Sequence, residues 1–252
     1  DIKNFPFVSF LNFFQNHGLF TFTNRPEWQY VKRGSNEYIK KILKLNLFKY
    51  KTNFIINKIE RTNKSIKITD SNNISHEFDK LVLATHADQA LQLLSNPSSE
   101  ERKLLSSFKY TRNYAFLHTD KNMMPKKNIA WSSWNFIQNI KTKDRFMLTY
   151  WMNLLQNISS INNYFVTINP SIEPKNIIDS TVFEHPTFSF KTLKAQKNML
   201  DIQGINNTYF CGSYLGYGFH EDGIQSSAYV AKLLGIKIPW LRSKNFYNRL
   251  QF

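Results

Sequence analysis

The stretch Cys211–Ser227, CGSYLGYGFHEDGIQSS, is where residue types and spacing speak most directly of chemistry. Three of the chain's eight glycines, Gly212, Gly216 and Gly218, fall within seven residues, between an apolar strand-like run and a helix-like one. Glycine removes the Cβ, so a ligand can lie against the backbone, and the first-turn N–H groups of a following helix favour an anionic or electron-rich group. The pattern predicts a helix from about Gly223 to Leu234, capped by Asp222, with Ile224 and Gln225 presenting N–H groups. A structural loop explains the same glycines. His220-Glu221 has the composition of a proton relay, a near-neutral imidazole tuned by a carboxylate, or of a histidine that only hydrogen-bonds its loop. Tyr217, with Tyr214, either walls a space above the turn or packs against it.

A second constellation lies in LVLATHADQALQLL, where a buried-strand pattern passes into a helix through Ala84, Thr85 and His86, and small residues permit close backbone approach. A third is aromatic. Trp131, Trp134, Tyr150, Trp151 and Asn153 fall along two predicted strands, and either line an apolar substrate cavity or form an ordinary core. The remaining histidines show no metal-ligand spacing, so no metal is expected. Cys211 is the single cysteine, which excludes an internal disulfide and a cysteine-based zinc site. No GxSxG supports a hydrolase.

The elements that must position these residues come from periodicity. Residues 4–16 place apolar side chains at helical spacing, stopped by His17-Gly18, and Arg25-Pro26 breaks the next segment. A short strand is expected near Trp28–Val31 and a helix over about 36–45, capped by Ser35 or Asn36. Residues 53–59, 64–69 and 79–84 read as strands. Strand-like runs dominate from Tyr110 to Val182, among them YAFLHT, IAWSSWNF, RFMLTYWM and YFVTIN. A helix over about 190–201 and the strand NTYFCG restore an α/β rhythm. The expected class is therefore mixed α/β, with α/β pieces interleaved with a β-rich insertion.

The composition, 42% hydrophobic and 15% aromatic, belongs to a chain that folds. Thirty-three Lys and Arg against eighteen Asp and Glu give a formal charge of +15. The cations are scattered among Asn and Ile, as a compositional bias produces. An anionic membrane surface is the next reading, and nucleic acid is not expected as a partner. No run of about 18 or more apolar residues is present, nor an export signal, so the expected location is cytoplasmic, with room for peripheral membrane contact.

The run YFCGSYLGYGFHEDGIQSSAYVAKLL resembles the final FAD-binding strand, loop and helix of the flavin-containing amine-oxidase superfamily, in particular its bacterial NAD/FAD-binding protein group. RPEWQYVKRGSNEYIKKI, DKLVLATHADQALQLLSNPSSEER, FLHTDKNMMP, AWSSWNF, TYWMNLLQ, YFVTINP and HPTFSF are similar to that group in the same order. The resemblance implies an incomplete FAD-binding Rossmann-like domain interleaved with a β-rich substrate domain, and non-covalent FAD. It implies that Gly212, Ser213, Asp222, Gly223, Ile224 and Gln225 lie against the cofactor, with Ala84 and Thr85 at a strand end beside it. Ile56 to Lys58 would supply adenine-side backbone contacts. The implied activity is hydride removal from a C–H bond of an organic, small-molecule or lipid-like substrate.

The domain pattern expected is a helical part of the substrate domain over 1–50, FAD-domain segments over 51–95 and 189–240, a β-rich substrate domain over 96–188, and a tail over 241–252. Two features depart from the family. The GxGxxG fingerprint and the acidic residue that accompanies it have no counterpart, so the chain is expected to be the C-terminal part of the family's pattern, needing a separate N-terminal dinucleotide-binding segment or acting as a non-catalytic module. Ser213 stands where many members carry an acid, and Cys211 does not match a covalent flavin link.

Overall fold

The computed structural model describes residues 5–23, 27, 29–138, 146–240 and 249–250. In chain order the elements are α1 (Phe7–Asn16), α2 (Asn36–Lys44), β1 (Ile56–Arg61), β2 (Ile66–Asp70), β3 (Ser75–Phe78), β4 (Leu81–Leu83), α3 (Ala87–Leu93), α4 (Ser99–Leu105) and β5 (Lys109–His118). Next come β6 (Trp134–Gln138), β7 (Phe146–Trp151), α5 (Met152–Leu155), β8 (Phe165–Ile168), β9 (Ile177–Thr187), α6 (Phe190–Asn198), β10 (Thr208–Phe210) and α7 (His220–Leu233). The class is mixed α/β. The chain divides into two compact units, one of Asp1–Glu27, Phe48–Tyr110 and Pro186–Phe252, the other of Trp28–Leu47 and Thr111–His185.

The first unit holds two sheets. β1, β2 and β3 form an antiparallel meander, and β10 pairs in parallel with β4 through Thr208↔Leu81, Tyr209↔Val82 and Phe210↔Leu83. The outer side of β10 is covered by a side chain acting as a strand: the Phe210 N–H donates to Gln203 Oε1 at 2.9 Å, and Gln203 Nε2 donates to the Phe210 carbonyl at 2.8 Å. On the other side, no described strand pairs with β4. Parallel strands ordinarily sit inside larger sheets covered on both faces. Ile59, Ile66, Leu83, Leu105, Phe108, Met199, Ile202, Phe210 and Leu215 form the core beneath them.

Two carboxylates fix this unit's meander. Arg61, at the end of β1, meets Glu101 of α4 as a two-pronged pair, Nη1 to Oε1 at 2.6 Å and Nη2 to Oε2 at 2.8 Å, both side chains fully buried. Glu101 also closes the N-terminus of α4, accepting from the Ser98 N–H while Ser98 Oγ accepts from the Glu101 N–H. Asp70 closes the β2–β3 hairpin: its Oδ1 accepts from the N–H groups of Asn72 and Ile74, each at 2.9 Å, and its Oδ2 lies 3.3 Å from His76 Nε2.

The Ile74 N–H foremost, with His76 and Asn72, holds the Asp70 carboxyl below the usual value of about 3.8, against the pull of burial. A lowered folded-state value means stabilisation that is complete above the unfolded value and lost as pH falls through the folded one. Acid titration of the urea midpoint should therefore show stability falling below about pH 4, and Asp70→Asn should flatten that fall. An Asp70→Asn protein with the same acid limb as the parent would contradict this.

The second unit is built on a five-stranded sheet in the order β6-β7-β8-β5-β9. Register and alternation put Thr149, Trp151, Phe165, Thr167, His118 and Asn135 on one face, and Trp134, Phe136, Leu148 and Tyr150 on the other. The first face carries a buried polar ladder. His118 Nε2 lies 2.7 Å from Thr167 Oγ1, which lies 2.9 Å from Thr149 Oγ1, and Asn135 Nδ2 donates to the Thr149 carbonyl at 3.2 Å. Burial pushes the His118 imidazole down, against the pull of Asp120, which favours the neutral ring this ladder uses.

In places the elements differ from those expected on periodicity. β3, SHEF, lacks the apolar alternation of a strand and is held by its hairpin pairing to β2. No strand forms over 29–31, and Trp28, Arg25-Pro26 and most of the tail over 241–252 lie outside the described residues. The expected 190–201 helix is α6 followed by a 3₁₀ turn, Met199–Ile202. Helix α7 begins at His220, three residues before the expected start, because Asp222 reaches back from the third helical position to the Phe219 N–H at 2.7 Å. Ile224 and Gln225 therefore lie beyond the first turn, where N–H groups belong to the helix's own ladder.

Candidate functional site

In the first unit, the C-terminal ends of the parallel strands β4 and β10 lead directly into the two constellations picked out by spacing. β4 ends at Ala84 and Thr85, both exposed, and β10 ends at Cys211 and Gly212. Ser226 ties this end to α7: its Oγ accepts the Gly212 N–H at 3.0 Å and lies 3.2 Å from the Gly212 carbonyl. In open α/β sheets the carboxyl ends of parallel strands are where ligands settle, because helix starts and free backbone converge there.

The glycines of the turn divide by what a Cβ would meet. At Gly212 it would fall 2.6 Å from the Tyr214 ring, and at Gly216 it would fall 2.5 Å from Asp222 Oδ1. Gly218, at φ +90°, faces Pro186 at 3.3 Å. Gly212 and Gly216 are small because the loop folds tightly on itself, and Gly218 because its backbone is left-handed and lies against Pro186 and Phe188. Gly223 differs: its nearest neighbour is the Ser213 backbone nitrogen at 3.9 Å, so its bare Cα faces open space beside the strand end. Ala84 and Thr85, exposed, and Ser213 and Gly223, half-buried, thus form a ledge poor in side chain that fits the flank of an extended cofactor such as FAD, with Gly212 tied beneath it to Ser226. The phosphate-cradling fingerprint is not among them.

The loop above this ledge is held by residues that no motif marks. Gln196 of α6, buried, donates from Nε2 to the carbonyls of Tyr214 at 2.7 Å and Gly216 at 2.8 Å. Arg249 pairs with the buried Asp222, Nε to Oδ1 at 2.7 Å, and its guanidinium sits 5.7 Å from the ring centroids of both Tyr217 and Phe219. Phe13 of α1 stacks on Phe219 at 5.7 Å and meets Tyr217 edge-on at 6.5 Å. Asp222 is therefore occupied by Phe219 and Arg249, and its charge is neutralised at the helix start. That leaves the positive end of α7 less cancelled than two acids in its first turn imply.

The other candidates are placed as follows. His220 is exposed at the start of α7, and Glu221 accepts from Gln225 Nε2 at 3.1 Å. Ile224 is exposed and Gln225 is buried, with Oε1 accepting the Arg249 N–H at 3.1 Å. Tyr217 is packed as described, and Tyr214 lies inside the core against Phe108, which removes it as a wall of an open space. Burial raises the Tyr110 hydroxyl to about 12; as a neutral phenol it accepts the Ala87 N–H and stacks on His86 at 4.1 Å. Burial likewise pushes the Cys211 thiol up, so it is not poised as a nucleophile. Ile56 packs on the core at a β-bulge, and Lys58 pairs with Glu60 at 3.3 Å.

In the second unit the aromatic set splits. Trp134 and Tyr150 are a cross-strand pair with ring centroids 5.8 Å apart, on the face that leaves Trp134 and Phe136 more than half exposed. Trp151 lies on the opposite face, where Trp131 meets it edge-on at 5.3 Å and Phe165 at 5.7 Å. Consecutive residues of one strand point to opposite sides, so these rings cannot line one cavity. Asn153 is engaged in its own loop, accepting from the Tyr164 N–H at 2.7 Å and donating to the Asn162 carbonyl at 2.9 Å. Among the described residues no group of three His, Cys, Asp or Glu could hold a metal, and no helix is long and apolar enough to cross a membrane.

No family model matches the sequence, and no curated protein does. Solved structures do. The CLA-producing fatty acid isomerase from P. acnes is similar with a TM-score of 0.59 at 14% identity, over 80% of this chain and 51% of that one. Wild-type putrescine oxidase bound to putrescine gives 0.56 at 9%, over 81% and 53%, and reduced UDP-galactopyranose mutase 0.57 at 11%, over 88% and 56%. The chain spans about half the length of these proteins, and it has the mixed α/β fold that they share.

Proposed function

We propose that the chain is the C-terminal part of an FAD-dependent oxidoreductase of the amine-oxidase kind, completed by a strand–GxGxxG–helix segment outside residues 1–252. The observation that carries this reading is the ledge at the ends of β4 and β10, with the open Cα of Gly223 beside the Ser213 nitrogen. When bound, FAD supplies acceptance of hydride from a C–H bond and passage of the electrons onward. This chain's part is to hold and orient it: Ala84, Thr85, Ser213 and Gly223 line the ledge with little side chain, Gly212 lets the strand end pass close beneath, and the first turn of α7 offers the positive end of its dipole. Gln196, Ser226 and the Asp222–Arg249 pair keep that backbone in place. His220 and Glu221 would carry protons at the entrance to α7. The side of β4 that no described strand pairs suits the strand of the completing segment.

The substrate class we infer is an organic molecule with a long apolar part. Support comes from the exposed Trp134 and Phe136 face of the five-stranded sheet, and a fatty acid isomerase is among the similar folds. Oxidation of polyamines with no turnover of acyl substrates, in a panel run on the completed protein, would overturn the substrate class and leave the cofactor reading standing.

The cofactor reading is tested by Gly223→Val. Outside its own helix a Cβ at this position meets nothing nearer than 3.9 Å, and Gly223→Ala, which adds that Cβ alone, runs beside it as the control for folding. A bound flavin would meet the added side chain, and an overpacking cost of about 1–3 kcal/mol weakens FAD about fivefold to 150-fold in equilibrium titration. Unchanged FAD affinity in a normally folded Gly223→Val protein would remove Gly223 from the site.

A further inference from the structure

We propose that residues 31–47, centred on α2, seat the protein on an anionic lipid surface, with a lipid headgroup in the cavity beside the helix. This does not depend on the flavin reading and can fail or stand without it. Projected at helical spacing, α2 and its C-terminal neighbour put Tyr38, Ile39, Ile42, Leu43 and Leu45 on one side, and Asn36, Glu37, Lys40, Lys41 and Lys44 on the other. None of the helix is fully buried; Tyr38 and Leu43 are half-buried, and Ile39, Ile42, Leu45 and Leu47 are 44%, 46%, 63% and 80% exposed, so most of the apolar stripe faces water. What settles its partner is charge: residues 31–47 hold five cations, Lys32, Arg33, Lys40, Lys41 and Lys44, and one acid, Glu37, already paired with Lys40 at 3.2 Å.

An apolar stripe backed by lysines is the pattern of a helix lying in a membrane interface, with its apolar side among acyl chains and its cations among anionic headgroups. The cavity adds a specific element. It is an open depression of about 450 Å³ lined by Val31, Lys32, Arg33, Glu37, Tyr38 and Lys41, three cations and one carboxylate, the latter paired with Lys40, beside a small apolar wall. Arg33 is held there in the left-handed region at φ +68°; the other eight described non-glycine residues with positive φ are all Asn, which tolerates it far better.

The test is flotation of the protein with vesicles of phosphatidylcholine alone and of phosphatidylcholine with phosphatidylserine. The expected result is binding only to the anionic vesicles, weakening as salt rises, with each of Lys40→Gln, Lys41→Gln and Lys44→Gln lowering the partition constant about fivefold. Ile39→Ser with Ile42→Ser should lower it at least as much, with an unchanged circular dichroism spectrum. Because the whole chain is basic, a control replaces Lys64, Lys67 and Lys80 by Gln: binding should survive. Equal loss in that control would mean unspecific adsorption and overturn the assignment. So would equal binding to neutral vesicles, or binding of glycerophosphate in solution with none to anionic vesicles.

Discussion

Glu101→Ala should destabilise the full-length protein by about 3–5 kcal/mol, read as a shift of the urea midpoint at unchanged slope. The magnitude comes from what is left behind. Arg61 is fully buried, and both prongs of its guanidinium face that one carboxylate, so removing it strands a charge that cannot reach water. The same carboxylate closes α4 through the Ser98 N–H, a second loss of about 1 kcal/mol within that total. Glu101→Gln, which keeps the shape and the Ser98 bond, should cost less. Burial alone would raise the Glu101 carboxyl, but Arg61 and Ser98 outweigh it and hold it low, so the pair's contribution is present above about pH 4.5 and disappears as pH falls through the lowered value. A loss below about 1 kcal/mol for Glu101→Ala would show that Arg61 reaches solvent when its partner is gone.

Gln196→Leu should cost about 2–4 kcal/mol and loosen the loop over the ledge. The replacement fills similar space, so packing changes little. The two carbonyls of Tyr214 and Gly216 lose their donor, each a buried acceptor whose orphaning costs about 1–3 kcal/mol. The accompanying signature is faster hydrogen exchange over residues 212–218, where the loop opens, than over β1 and β2. Uniform acceleration across the first unit would mean that Gln196 acts only through global stability.

Much of the fold is legible in period and punctuation. The apolar run before Ala84 and the glycines after Cys211 announce the two strand ends, and these do lie side by side in parallel register. The individual glycines are harder to read, because the same residue type serves an internal turn at Gly212 and Gly216 and an open ledge at Gly223. Only the neighbouring Tyr214 ring and Asp222 carboxylate separate these cases. The start of α7 is equally ambiguous in sequence, because an Asp at the third helical position and an Asp at the cap look alike in a string of letters.

Long-range partners leave no local mark. Gln196 and Arg249 reach the site from elements eighteen to twenty-seven residues away, and neither belongs to a recognisable pattern. The aromatic set misleads in a different way. Tyr150 and Trp151 are adjacent in a strand and so face opposite sides, which fixes Trp134 and Trp131 to different faces through the register. That register depends on which residues pair, and alternation alone does not specify it. The polar ladder of His118, Thr167, Thr149 and Asn135 is hidden for the same reason, since its members lie on four different strands and Thr167, Thr149 and Asn135 each stand alone between apolar neighbours in sequence.

That the ends of β4 and β10 form one flank of a flavin site is tested most directly by the visible absorption spectrum of the purified protein with its completing segment, before and after heat denaturation. Flavin bands are expected in the folded protein, and free FAD in the supernatant after denaturation. A colourless, folded protein that takes up no added FAD would contradict the flavin site and leave a binding module without redox chemistry.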